Sequence, residues 1–358
     1  MENPEIKHKA IPPRSWQERL RKSSFPPAAV VGALSSFLSG ANPSKAASPS
    51  NGSPRKTALV QIGVPVPAKD ASPVRLELQY ERARFPGASA TALQRSLTGL
   101  AADSADRIYV LGDGVLFLFA PDGKLLRNWK APEQARCLGA GPDDRVCFGV
   151  AGGVEIYNSA GTRVGGFRVG EPGRPAAVTS VKMYNGDILV ADASARIIRR
   201  YSPGGKQLGL IGSHGKIRGF MLPNGSLDMD VDTKGIVYAT DSGRHRVARW
   251  TLSGTPAGGF GKFGQAKLED FVGCCNPVNL ALARDGKIVT AEKVTARVKV
   301  YNAAGGLLGL IGPEHFDPKC LHLHLAVDSK GRIFVGDPVR LEIQVFYPAT
   351  GSGAAASV

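Results

Sequence analysis

Two neighbouring stretches decide the fold. The first reads Cys275-Asn276-Pro277-Val278-Asn279-Leu280-Ala281-Leu282, then Asp285-Gly286-Lys287-Ile288-Val289-Thr290-Ala291-Glu292, then Arg297-Val298-Lys299-Val300-Tyr301. The second repeats it at one fixed offset: Cys320-Leu321-His322-Leu323-His324-Leu325-Ala326-Val327, Lys330-Gly331-Arg332-Ile333-Phe334-Val335-Gly336-Asp337 and Glu342-Ile343-Gln344-Val345-Phe346. Cys275 falls on Cys320 and Asn279 on His324. Short runs that alternate apolar and polar residues, rich in Val, Ile and aromatics and broken by Gly turns, read as antiparallel strands.

The same unit recurs upstream. Aligned on the turn before each second strand, copies lie at Leu97–Phe119, Cys137–Tyr157, Val178–Tyr201 and Leu227–Trp250, which makes six with the pair above. Self-similarity at this period is the mark of a propeller, in which each unit is one blade. The expected fold is therefore all-β, a six-bladed β-propeller over residues 72–348. The sixth copy ends at Phe346 without a trailing strand. The alternating segment Val74-Arg75-Leu76-Glu77-Leu78-Gln79-Tyr80, which precedes the first copy, is expected to complete that blade and close the ring, removing the open edge between the chain ends.

Charge and composition narrow the function. The chain of 358 residues carries a formal +15, which suits nucleic acid, an anionic membrane surface or an acidic substrate. Residues 1–56 hold nine Lys or Arg against three Glu, a net +6 of that total, and the rest is dispersed along the repeats. The charge reads as a solvated surface. Residues 1–70 begin basic, pass through an apolar stretch from Ala28 to Gly40 and become rich in Ser, Pro and Ala, resembling an export signal followed by a flexible, disordered linker. The competing reading is a disordered cytoplasmic tail. Residues 349–358 read as a disordered tail. No apolar run is long enough to span a bilayer.

The repeat resembles the NHL family, whose units run as an alternating strand, a Gly turn, a Val-x-Asp strand end, an Arg-Ile or Arg-Val strand and a Gly hairpin. The third and fourth copies carry this pattern in Asp192 with Arg196 and Asp241 with Arg246. The fifth has Glu292 for the Asp, the sixth lacks the Arg, and the first two lack both. Gly-Cys-Cys-Asn-Pro, Thr-Ala-Glu-Lys and Arg-Val-Lys-Val-Tyr together resemble a group of exported bacterial NHL-repeat proteins of unassigned function. The resemblance implies a six-bladed propeller and a periplasmic location. It does not imply one activity: related propellers include RNA binders and a metal-dependent lyase with its metal on the axis.

Seven residues before each aligned turn stand Gly99, Cys137, Thr179, Asp228, Asn279 and His324. Equivalent positions of innermost strands surround one axis. His322 shares a strand face with His324 by the period of two. Cys137, Asp228, His322 and His324 are thus candidate ligands for one divalent metal ion. The alternative is that these polar groups hydrogen-bond backbone or water. Cys275 and Cys320, with Cys274 beside them, are open to three readings: a disulfide, a soft-metal or redox thiol site, or unpaired cysteines. Cys147 is expected in the core. Asp192, Asp241, Arg196 and Arg246 are expected to be structural, whereas Asn279, Glu292 and Lys293 are candidate ligand-binding residues. No nucleophile elbow, P-loop, zinc-protease helix or dinucleotide fingerprint is present.

The expected function is an exported, monomeric binding module or scaffold for a small molecule, peptide or partner protein. The rival is a metal-dependent lyase or hydrolase-like enzyme with its metal near His324 and Asp228. Nucleic acid is the weakest partner, because the aromatics sit at strand positions rather than interleaved with Lys and Arg.

Overall fold

A computed structural model of the chain describes residues 76–349, apart from 88–90, 92 and 142–143. The expected export segment, linker and C-terminal tail lie outside the described residues, as do Val74 and Arg75. Six four-stranded antiparallel sheets form the blades, and two short hairpins are added in the loops. The innermost strands, in order, are Leu97–Ala102, Cys137–Ala140, Val178–Tyr184, Met229–Val231, Asn279–Leu282 and His324–Val327. They adjoin one another all round, the last against the first. The six-bladed expectation holds.

The turns that align the repeats explain why the register is fixed. Each origin has a left-handed backbone: Asp106 (φ 59°), Asp144 (φ 57°), Gly186 (φ 85°), Gly235 (φ 78°), Gly286 (φ 85°) and Gly331 (φ 74°). Gly adopts this without steric cost, and Asp tolerates it through its short polar side chain. A turn of fixed geometry sets the pairing of the strands on either side, and so decides which side chains face the neighbouring blade.

Closure occurs as expected, with a shifted strand. Tyr80–Arg84 pairs antiparallel with Glu342–Pro348, from Tyr80 opposite Pro348 to Arg84 opposite Gln344, and forms the outer strand of blade six. The alternation places the strand at residues 74–80 within the segment 73–84, and the paired strand takes the last five residues of that segment. The residues before it run along blade five instead, where the Leu78 amide donates to the Leu308 carbonyl at 2.9 Å. Leu76 is buried and Leu78 packs into the core between blades five and six. The alternation Leu76, Leu78, Tyr80 thus records burial against a neighbouring blade. Phe85 follows the closing strand and is wedged edge-on between Phe119 of blade one and Phe334 of blade six, at ring separations of 5.0 and 6.0 Å.

The apolar core is divided among the seams. Among the described residues, six clusters of buried side chains occur, and each joins two successive blades. A blade alone has two apolar faces and no core, so each depends on both neighbours for burial. Cys147, fully buried between blades two and three, is a core residue as expected.

Candidate binding face around the channel mouth

Each innermost strand starts at one end of the ring, and its antiparallel partner returns there. The loops that enter innermost strands and those that join second to third strands therefore share one face. The aligned turns and outer hairpins occupy the other.

Carboxylates at the ends of second strands build the loop face. In blade four, Asp241 accepts the Met221 amide at 2.8 Å and Arg246 Nε at 2.8 Å, with Arg244 Nη1 at 3.0 Å. In blade six, Asp337 accepts the amides of Asp317, Val339 and Arg340 at 2.8, 2.9 and 3.1 Å. One buried carboxylate thus ties together both loops of its blade, and charge-assisted bonds of this kind are the stronger class. In blade three the expected pair is corrected. Asp192 takes Arg199 Nε at 3.0 Å rather than Arg196. Arg196 sits in the intervening turn with φ 59°, so the next strand begins at Ile197 and the inward guanidinium comes two residues later. Blade one, which lacks the repeat pattern, ties its loops through another acid, Asp113, which accepts the amides of Gln94, Arg95 and Ser96 at 2.7, 2.9 and 2.7 Å. These donors, Gln94 first, hold its carboxyl below the usual range. Its signal was the acid between Gly112 and Gly114, one residue beyond the strand end.

Blade five divides the work. Glu292 is fully buried and reaches Arg297 Nε at 2.8 Å and Lys299 Nζ at 2.5 Å. Lys299 also donates to the Asp270 carbonyl at 2.7 Å and lies 4.9 Å from the Phe271 ring centroid. Burial lowers the Lys299 pKa to about 8 against the pull of Glu292. Turned toward these cations, Glu292 keeps one loop contact, from Thr295 Oγ1 at 3.3 Å. The two loops are tied together by Asn276, whose Nδ2 donates to the carbonyls of Val272 and Lys293 at 2.7 and 3.1 Å while its Oδ1 accepts the Lys293 amide at 2.9 Å. Sequence reasoning missed Asn276. The Glu292 side chain faces this internal ion cluster, and Lys293 stands beside it in the loop.

The six girdle residues do converge, lining one narrow cavity of about 50 Å³ on the axis. Most of their hydrogen bonds run to the next blade round the ring. Thr179 Oγ1 donates to the Leu227 carbonyl at 2.7 Å. Asp228 Oδ2 accepts the Leu280 amide at 3.0 Å and Asn279 Nδ2 at 3.2 Å, while its Oδ1 accepts the Met229 amide at 2.9 Å. Nε2 of His324 lies 3.2 Å from the Leu97 carbonyl, which can only accept, so this nitrogen carries the proton. Burial, then the neighbouring His322 ring 5.0 Å away, lowers the His324 pKa to about 3. Burial likewise raises the Cys137 thiol to about 12. Deeper in the channel, Lys182 Nζ stands 3.5 Å from Asp230, and the carboxylates of Asp230 and Asp228 outweigh burial to raise its pKa.

This donor set does not fit a metal. Both Asp228 oxygens are committed to amides, the outward nitrogen of His324 to a carbonyl, and Cys137 holds its proton. Among the described residues no three His, Cys, Asp or Glu side chains form a group that could hold an ion. What the channel offers instead is hydrogen bonding. Asn279 Oδ1 is buried without a partner in the protein, and such an atom calls for a donor from outside.

The cysteines separate. Cys320 is buried among Phe316, Leu323 and other core residues between blades five and six. Cys275 is also buried, but its sulfur lies 2.7 Å from that of Cys274, which is exposed. All five cysteines carry free thiols.

Exposed apolar residues concentrate on the loop face. Of nine large hydrophobic side chains that stand exposed among the described residues, five lie there: Met221, Phe263, Val294, Leu321 and Val339. All belong to blades four to six. Leu321 is 62% and Phe263 54% exposed. The Phe263 ring meets His245 of the adjoining loop, edge to face, at 5.0 Å. Larger cavities occur away from this face, of about 230 Å³ beside the turns of blades five and six and about 370 Å³ along the outer strand of blade four. Volume alone does not locate the site, because neither collects the polar groups of six blades.

No protein-family model matches the chain. Among solved structures it is similar to a protein of unknown function from Bacteroides thetaiotaomicron, with 12% identity over 76% of this chain and 77% of that one and a TM-score of 0.58. It is also similar to virginiamycin B lyase from Staphylococcus aureus, with 16% identity over 78% and 91% and a TM-score of 0.46. A streptogramin B lyase gives 12% identity over 77% and 98%, with a TM-score of 0.48. At these identities the likeness concerns the fold alone. No helix among the described residues is long and apolar enough to cross a membrane.

Proposed function

We propose that this protein is a binding module for a peptide or protein segment, which lies across the loop face of blades four to six with its polar end at the channel mouth. The observation that carries this reading is the clustering of Met221, Phe263, Val294, Leu321 and Val339 on the face where the channel opens. Exposed apolar side chains gathered on one face beside a polar mouth suit an interaction site, whereas exposed hydrophobics scattered over all faces are common everywhere. The clamps at Asp241, Asn276 and Asp337 support it, because they fix the loops before any partner arrives and so reduce the ordering cost of binding. A cavity of about 50 Å³ has room for water or the tip of one side chain, not for a whole substrate.

Selection of a phage-displayed random peptide library on the immobilised full chain tests the reading. Selected peptides should lose at least tenfold in affinity for a Phe263→Asp, Leu321→Asp double variant and bind a Val164→Asp variant of an outer strand normally. Peptides indifferent to the loop-face changes, yet weakened by the outer-strand change, would move the site elsewhere.

A further inference from the structure

Adjacent residues of an extended chain point to opposite sides, so the sulfurs of a Cys-Cys dipeptide in a strand are held apart. In the loop before the innermost strand of blade five they are held together. Cys275 has a left-handed backbone (φ 65°), which swings its side chain round to the side of Cys274, and the sulfurs come to 2.7 Å. The arrangement is braced on both flanks. Gly273 precedes the pair with φ 72°, and the fully buried Asn276 follows it, bonded to Val272 on one side and Lys293 on the other. Neither cysteine needs to move far to meet the other. Cys320, the equivalent of Cys275 one blade on, is enclosed in the apolar seam between blades five and six.

We propose that Cys274 and Cys275 form a two-electron redox site, oxidised to a vicinal disulfide by low-molecular-weight disulfides. Exposure orders the steps. Cys274 gives up its proton, and its thiolate attacks one sulfur of the small disulfide; the S–S bond breaks, one thiolate leaves and takes up a proton, and a mixed disulfide remains on Cys274. The buried Cys275, whose thiol burial raises to about 11, then loses its proton and attacks Cys274 Sγ, expelling the second small thiol. Two protein thiols are oxidised and one small disulfide is reduced to two thiols. The proposal is independent of the peptide-binding reading, since it rests on the loop alone.

The test uses the full chain, reduced and then incubated with glutathione disulfide, quenched with N-ethylmaleimide and digested with trypsin. Leu268–Arg284 carries both cysteines of the pair, and Cys320 lies on a separate peptide. The expected product is this peptide lighter by two hydrogens, free of maleimide and restored by dithiothreitol. Cys275→Ser should stop at the glutathione adduct on Cys274, and Cys274→Ser should leave Cys275 unbonded. Maleimide on both cysteines of the wild type, a stable glutathione adduct, or a link to the Cys320 peptide would each overturn the proposal, and none depends on a variant folding.

Discussion

Lys299 Nζ lies 2.5 Å from Glu292 Oε1 with neither side chain exposed to solvent, and Arg297 adds a second cation at 2.8 Å. Removing the shared anion leaves two cations in a low-dielectric seam. Glu292→Gln should therefore cost about 3 kcal/mol of unfolding free energy, measured by urea denaturation at neutral pH. A loss below about 1 kcal/mol would mean that water or another group readily takes the place of the carboxylate.

Asn276→Ala removes three hydrogen bonds at a fully buried position. The expected loss is about 2 kcal/mol, because the Lys293 amide and the Val272 carbonyl are left unpaired. Hydrogen exchange should quicken at the Lys293 amide while protection in blades one to three is unchanged. Unaltered exchange at Lys293 would show that Asn276 is not the clamp.

The His324 pKa falls from its ordinary 6.5 to about 3 in the folded chain, through burial and the neighbouring His322. As pH drops below 6.5, the unfolded chain takes up a proton that the folded one refuses. Stability is then complete above that value and is lost progressively as pH falls toward 3. His322, also lowered by burial, acts in the same direction. His324→Asn should narrow the difference in urea midpoint between pH 7 and pH 4. An identical difference in variant and wild type would place the acid sensitivity at other groups.

Phe85 fills the seam between blades six and one, and Phe85→Ala should cost about 3 to 5 kcal/mol by opening a cavity there. The substitution should also speed exchange in Tyr80–Arg84 before the other outer strands. Loosening spread evenly round the ring would indicate that closure is no weaker than any other seam.

Much of this architecture was legible because a turn residue and a strand period are local. Counting seven residues back from Asp106, Asp144 and the four Gly turns brought six residues to one cavity, since each turn fixes the register of the strand beside it and the bulges of blades one and three fall only at the far end, at Thr98 and Thr179. Reading stopped where an outcome depended on partners distant in sequence. Arg196 and Arg199 look alike in a strand pattern, and only the left-handed turn at Arg196 decides which faces Asp192. The girdle was legible as a place and not as a chemistry: whether Asp228 is free or bonded depends on the Leu280 amide, 52 residues on in the next blade. Asn276 and Asp113 carry no periodic signal, because each compensates for something missing in its own blade.

The closing strand imposes an order on the life of the chain. Tyr80 finds its partner only when Pro348 exists, 268 residues later, which at usual synthesis rates of about 5 to 20 residues per second is a delay of roughly 15 to 50 seconds. Throughout that interval Tyr80–Arg84 is a strand without a sheet, and blade one presents to solvent the face that blade six will cover. The ring is thus sealed by its own last strand joining its own first, and a nascent chain halted before Glu342 has every blade but the last and no means of closing.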